Sequence, residues 1–195
     1  AQLIHGPTDR HLWAEVYERD VRNVFDLQSE IARAIAAQVK IKMSQADQVR
    51  LATKRPVNPK AFDDYLQGRY LYWNKRTEEN LNKAIKYFQS AIEADPSYAL
   101  AYAALADCYN SMGTVQFGVL PPIEARGRAE EAALRALEID SSLAEAHTAL
   151  AYVKHFNWNW TTAEEEFKRA IELNPNYANA YNFYAGYLMS RRRVD

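Results

Sequence analysis

Four histidines (His5, His11, His147 and His155), one cysteine (Cys108) and the run Glu164-Glu165-Glu166 are the side chains best suited to metal, acid–base or nucleophilic chemistry. A bound transition metal needs several such ligands at short spacing. None of the histidines has a cysteine or carboxylate partner so placed. Catalysis by Cys108 would need a local signature or an electropositive setting. Its surroundings read instead as helix interior, so inert packing is expected. As the only cysteine it permits no disulfide within the chain, and the redox compartment stays open. The three glutamates read as a solvated helical face, and the six glycines are too few and scattered to cradle a phosphate. The expectation is no catalytic residue, no cofactor site, no metal site and no enzyme activity.

Composition narrows the class further. The net charge of −1 gives no excess of basic residues for a nucleic-acid footprint. Arg191-Arg192-Arg193 reads as a helix C-terminus balancing its dipole. No run of 18 apolar residues offers a membrane span, and no signal peptide is present. The sequence lacks an initiator Met and ends in mid-pattern at Asp195, as a piece of a longer protein would.

What the sequence does organise is a repeat. With Pro59, Pro96, Ser141 and Pro175 as equivalent terminators, the units are 37, 45 and 34 residues long. Six residues after each terminator stand Tyr65, Tyr102, His147 and Tyr181. His147 thus takes a place where other units put Tyr, which predicts a structural histidine on the packing face. Nine and ten residues after come Gly68-Arg69, Leu105-Ala106, Leu150-Ala151 and Tyr184-Ala185. An aromatic with a large–small pair three and four positions on marks one face of a helix. A second helix follows in three units, with Ala84, Phe88, Ala91; Ala129, Ala133, Ala136; and Ala163, Phe167, Ala170. Small residues there let helices approach closely while the aromatic fills the remaining space. Units of this kind cannot bury their apolar faces alone and stack into a solenoid. The prediction is three helical hairpins and one further first helix, about Ala178 to Arg192.

These units resemble tetratricopeptide (TPR) repeats over roughly residues 59–195, most closely in Leu150-Ala151, Ala163, Phe167, Ala170 and Pro175. The resemblance implies a mostly α fold, a TPR-type superhelix over 54–195, with repeats at 59–95, 96–140, 141–174 and 175–195. Two departures stand out. The first unit has Gly68-Arg69 where Leu-Gly or Leu-Ala is usual, and the second carries 11 extra residues between Ala106 and Ala129. That insertion, around Phe117, Val119, Leu120 and Pro122, reads as a long loop tucked onto its own hairpin, or as a gripping edge for a partner. Pro122 suits the first turn of the next helix. Trp158 and Trp160 read as staples of a turn between helices, with Thr161 or Thr162 placed to cap the second helix.

Residues 1–53 read differently. Gln2-Leu3-Ile4 and Leu12-Trp13-Ala14-Glu15-Val16-Tyr17 flank Gly6-Pro7-Thr8-Asp9, a strand–turn–strand signal. A long helix from about Val24 to Met43 and a shorter one from about Gln45 to Ala52 are expected next, then a bridge, Lys54 to Pro59. The order of these motifs resembles the tail of the TolB-like amino-terminal domain, which in multidomain bacterial regulators precedes TPR repeats. That resemblance implies a partial domain holding only a last β-hairpin and helix. A two-stranded hairpin is marginal alone, so residues 1–20 are expected to pair with another chain, pack on the repeats or be poorly ordered.

TPR arrays usually bind partners on the concave surface of their first helices. The resemblance places Tyr70, Trp73 and Asn74; Asp107, Asn110 and Ser111; Tyr152, His155 and Phe156; and Asn179 and Asn182 on that surface. Aromatics offer rigid contact area, and Asn can hydrogen-bond an extended backbone. The lysines of the TPR carboxylate clamp are absent, since its position five reads Leu66, Ala103, Thr148 and Asn182. The leading expectation is a protein-interaction module of a bacterial regulator, with a peptide or protein ligand in the groove. A self-assembly element giving a homodimer is the alternative, and a small-molecule sensor or enzyme a third. The compartment would be periplasmic if a membrane span precedes residue 1, and cytoplasmic otherwise.

Overall fold

The computed structural model describes residues 2–5, 10–14, 30–31, 34–35, 58–74, 77–114 and 118–192. The chain divides into two compact units, Ala1–Pro59 and Lys60–Asp195. In the first, the backbone strands β1 (Gln2–His5) and β2 (Arg10–Ala14) pair antiparallel, Gln2 opposite Ala14, with an irregularity between Leu3 and Ile4. Residues 30–31 and 34–35 are helical. The rest of the expected Val24–Met43 helix, the Gln45–Ala52 helix and residues 54–57 of the bridge lie outside the described residues.

The second unit is built from helices: α1 (Pro59–Asn74), α2 (Glu78–Ala94), α3 (Ala99–Met112), α4 (Pro122–Ile139), α5 (Ala144–Phe156), α6 (Trp160–Leu173) and α7 (Ala178–Ser190). Odd-numbered helices are the first members of each repeat, even-numbered ones the second. α3 packs on both α4 and α5, and α5 on both α6 and α7. Alanine occupies the closest approaches. Ala99, Ala103, Ala136 and Ala146 form one buried cluster between repeats two and three, and Ala144, Ala170 and Ala180 form its counterpart one repeat later. Phe88 and Phe167, both fully buried, fill the hairpins of repeats one and three. Each such ring contributes about 1.5–3 kcal/mol through burial.

One device ends each second helix. Asp95, Asp140 and Asn174 donate their backbone N–H to the carbonyls of Ala91, Ala136 and Ala170 at 2.9–3.0 Å. Their side-chain oxygens then accept the N–H two residues on, from Ser97 at 3.1 Å, Ser142 at 2.9 Å and Asn176 at 3.2 Å. This Asx-turn satisfies the backbone where the helix stops and turns the chain into the next one.

Two sequence expectations about loops are settled by the turns themselves. α4 begins at Pro122, whose missing N–H costs nothing in a first turn. In the loop before it, the Val119 and Leu120 amides donate to the Met112 carbonyl and both side chains are half-buried, while Phe117 lies outside the described residues. Neither Thr161 nor Thr162 caps α6, because the helix already begins at Trp160 with Asn159 as N-cap and no side-chain cap bond. Trp158 takes a left-handed backbone (φ 64°), is 76 % exposed and meets Trp160 edge-on at 5.2 Å.

Candidate functional site

The phase of repeat one decides which residues of α1 face the groove, and the packing fixes it. A Cβ on Gly68 would lie 2.6 Å from the Phe88 ring. Gly68 therefore takes the close-approach place that Ala151 holds in the cluster with Phe167 and Ala163. Buried Ala61, Tyr65, Gly68 and Tyr72 then correspond to Ala144, Thr148, Ala151 and His155. A second match agrees: Tyr72 Oη and Ser111 Oγ are hydrogen-bonded at 3.1 Å, and His155 Nε2 and Ser190 Oγ at 3.0 Å. In each pair the serine is thirteenth in the next repeat, counting from Ala99 or Ala178. Phasing by Pro59 is thus one residue out in this repeat. Its hairpin holds four additional residues, a full helical turn, since Gly68 precedes Ala84 by 16 where Ala151 precedes Ala163 by 12.

The inner face of α1, α3, α5 and α7 carries a cleft lined by Tyr65, Arg69, Tyr72, Trp73, Leu100, Ala104, Asp107, Glu145, Tyr177 and Asn179. It holds a partly open hollow of about 40 Å³, room for a few waters or the tip of one side chain. Arg69 Nη1 donates to Tyr65 Oη at 2.8 Å, and the guanidinium sits 5.7 Å from the centroid of that ring. Burial pulls the Arg69 pKa down, but Tyr65 and then Tyr177 and Asp107 outweigh it, so the pKa is raised and Arg69 stays charged. Burial pushes the Tyr177 phenol well above its ordinary range, and the Asp107 and Glu145 carboxylates push it further. Both carboxylates act on Tyr65 in the same direction. The cleft is therefore aromatic-walled, with one guanidinium already engaged and two carboxylates.

Of the residues expected in the groove, Trp73, Asp107 and Asn179 line this cleft. Tyr70 and Asn74 do not line it: the one-residue phase error moved both around α1, where Asn74 Nδ2 donates to the Tyr70 carbonyl at 3.1 Å. Asn110 is buried, donating through Nδ2 to the Ala149 carbonyl at 3.2 Å, and is a tie between repeats. Its Oδ1 is the only buried side-chain polar atom without a partner among the described residues. Tyr152, Phe156 and Phe183 form an aromatic group beyond the cleft, with Tyr152 5.3 Å from Phe183 and Phe156 45 % exposed. His155 packs against Trp160 and Tyr187, and burial holds its pKa below the usual value. Asn182 is exposed on α7. Sequence reasoning missed Arg69, Tyr72, Glu145 and Tyr177. Alanine at Ala61, matching Ala99, Ala144 and Ala178, was the signal that would have placed the first two.

His147, Glu164 and Glu166 have structural partners. Cys108 is buried in α3. His147 Nδ1 lies 2.5 Å from Glu166 Oε2, and its Nε2 lies 3.1 Å from the Ser141 carbonyl. Glu164 accepts from Tyr187 Oη at 3.2 Å and pairs with Lys168. The 164–166 run is thus not simply a solvated face, since Glu164 and Glu166 are half-buried. Among the described residues no three His, Cys, Asp or Glu gather to hold a metal ion, and no helix is long and apolar enough to cross a membrane.

The comparisons with known proteins agree with this architecture. The family model described as a tetratricopeptide repeat matches residues 71–98. A putative adenylate cyclase 3 of Rhizobium meliloti is 32% identical over 158 residues, 77% of this chain and 25% of its own length. The transcriptional regulator HilA of Salmonella typhimurium is 29% identical over 131 residues, 67% of this chain and 23% of its own. The chain thus spans about a quarter of the length of these relatives. Among solved structures, the first TPR of Spaghetti (RPAP3) bound to an HSP90 peptide superposes with a TM-score of 0.52 at 18% identity, over 69% of this chain and 95% of that one. The first TPR domain of human RPAP3 gives 0.50 at 18%, over 70% and 98%. At that identity the likeness concerns the fold. With helical hairpins stacked through alanine, an aromatic in the hairpins of repeats one and three and a repeat model matching residues 71–98, the chain carries a tetratricopeptide repeat within a helical array of that fold.

Proposed function

We propose that the inner face of α1, α3, α5 and α7 binds an extended peptide or protein segment, and that the chain is the interaction module of a larger bacterial regulatory protein. The observation that carries this reading is the cleft, which draws its lining from all four repeats and exposes Trp73 (45 %) beside a charged Arg69. Large aromatic area with a few placed polar groups suits an extended chain. A repeat array of the same fold holds a peptide in the Spaghetti (RPAP3) complex. The relatives named as an adenylate cyclase and as a transcriptional regulator support a setting inside longer regulatory chains. Cyclase chemistry is not assigned here, because the match takes in only 25% of that protein. Within this reading residues 1–53 are the closing part of a TolB-like domain.

The test is photo-crosslinking in bacterial cells from a benzophenone amino acid placed at position 73 or, as control, at position 70. A discrete crosslinked product from 73 and none from 70 supports the groove. Equal products from both positions would sink it. Self-assembly is the second reading, favoured by the exposure of Tyr181 (46 %) and Met189 (63 %) on α7. Light scattering behind size-exclusion chromatography over a hundredfold concentration range separates the two: a dimer lost on Tyr181→Ser with Met189→Ser would favour it.

A further inference from the structure

Repeat two departs from its neighbours in the core of its hairpin. Counting from Ala84, Ala129 and Ala163, the third and fourth residues on are Tyr87 and Phe88 in repeat one, Ala132 and Ala133 in repeat two, and Glu166 and Phe167 in repeat three. Phe88 and Phe167 are fully buried, and Glu166 reaches across its hairpin to His147 at 2.5 Å. Repeat two has only methyl groups at both places. α4 closes on α3 through an alanine seam: Ala125, Ala129, Ala133 and Ala136 are fully buried, and a Cβ on Gly113 would lie 2.6 Å from that of Ala125. A seam this close admits no large side chain, and Tyr102, Leu105 and Tyr109 of α3 stand along its flank. There, beside Ala132, they line an open hollow of about 610 Å³, with Leu134, 45 % exposed, on its lip. The hollow shares no described lining residue with the cleft of the inner face.

We propose that this hollow receives an uncharged aromatic side chain, of the size of phenylalanine, presented by a partner protein. The partner thus supplies from outside the ring that the hairpins of repeats one and three supply from within. The walls suit a ring, since Tyr102 and Tyr109 offer faces and edges and Leu105 and Ala132 offer methyl groups. Charge on the rim points the same way. Arg128 pairs with Glu124 and Arg135 with Glu138, each at 2.6 Å, and the Arg128 guanidinium also lies 5.7 Å from the Tyr109 ring centroid. A charged guest would have to shed its water beside ion pairs already made, a cost that an uncharged ring does not carry. The openness of the hollow favours a partner over a free molecule. Sites for small ligands bury most of the ligand's surface, whereas this one leaves a free molecule wet on one side. A partner's own surface covers the ring it presents. The proposal stands apart from the groove, and neither surface needs the other to be occupied.

The test uses the full chain and has two arms. In the first, NMR follows the methyl resonances of Leu105, Ala132 and Leu134 while the Nα-acetyl amides of phenylalanine, glutamate and lysine are titrated in separately. The expected result is a saturable shift from the phenylalanine amide alone, at least about tenfold weaker in Ala132→Tyr, which gives repeat two the residue that repeat one has there. Circular dichroism checks that this variant folds, and Ala132→Met takes its place if it does not. In the second arm, a benzophenone amino acid at position 134 is irradiated in bacterial cells. A discrete crosslinked polypeptide is expected, lost when Ala132→Tyr is added, with Phe, Tyr or Trp in the segment attached. No methyl shift, equal shifts from all three amides, or a shift unchanged by filling the hollow overturns the site. Saturable binding of the phenylalanine amide with no such polypeptide, or with one whose attached segment has no aromatic residue, overturns the partner and leaves a site for free aromatic molecules.

Discussion

Gly68 and Gly127 both sit inside helices, yet the structure predicts opposite outcomes when each becomes alanine. Helix propensity favours alanine by about 1 kcal/mol at either site. At Gly127, on the exposed face of α4, an added Cβ meets nothing within 4 Å, so Gly127→Ala keeps the whole gain. At Gly68 the Cβ would lie 2.6, 2.8 and 2.9 Å from three atoms of the Phe88 ring. That ring is fully buried and already tilted against Tyr65 at 6.0 Å, so it has little room to yield. Overpacking of this kind costs about 1–3 kcal/mol. Gly68→Ala is therefore expected to range from neutral to about 2 kcal/mol destabilising, and the gap between the two variants, about 1–3 kcal/mol, reports packing alone. Urea unfolding followed by circular dichroism measures both midpoints. Phe88→Leu, which removes the ring, should shrink the cost of Gly68→Ala in a double-mutant cycle. An equal rise in midpoint for Gly68→Ala and Gly127→Ala would refute the phase assigned to repeat one, and with it the membership of the groove.

Three further outcomes follow from the same packing. Phe167→Ala should cost about 3–5 kcal/mol in urea unfolding, because the ring is fully buried and meets Tyr184 and Tyr187. Tyr72→Phe should cost about 1 kcal/mol by removing the bond to Ser111 between repeats. His147 should make stability fall as pH rises. Partial burial lowers its pKa, but the Glu166 carboxylate and the Ser141 carbonyl, one at each ring nitrogen, outweigh burial and raise it. The stabilisation is fully present below the unfolded value of about 6.5 and is lost as pH climbs through the higher folded value. His155, with its pKa lowered by burial, acts in the opposite sense. The clean readout is therefore the difference between thermal midpoints of the protein and of Glu166→Gln, which should narrow from pH 6 towards alkaline pH; a constant difference would contradict it.

Much of the array could be read from residue type and spacing. Ala163, Phe167 and Ala170 predicted a close-packed second helix, and the structure buries all three. The groove was harder, because a face is read only as well as its phase. Pro59 looked like a terminator but is the first residue of α1, and the four additional residues in the first hairpin offset any count carried across it. The buried set Ala61, Tyr65, Gly68 and Tyr72 fixes the phase, yet two of these are tyrosines that pattern alone cannot assign to core or groove. Glu145 and Tyr177 were missed for another reason. They come from the start of α5 and the turn before α7, and only stacking brings them beside Arg69. Pairings such as His147 with Glu166, 19 residues apart across a hairpin, are likewise set by how the helices dock.

The most direct test of the central claim, that the inner face is the binding surface, follows the tryptophan indole resonances by NMR while a library-selected peptide is titrated into the full chain. Trp73 lines the cleft, whereas Trp158 is 76 % exposed at the α5–α6 turn outside it. The account predicts that the Trp73 indole shifts and saturates while that of Trp158 stays in place. A saturable shift of Trp158 with Trp73 unmoved would contradict it and move the binding surface to the turn.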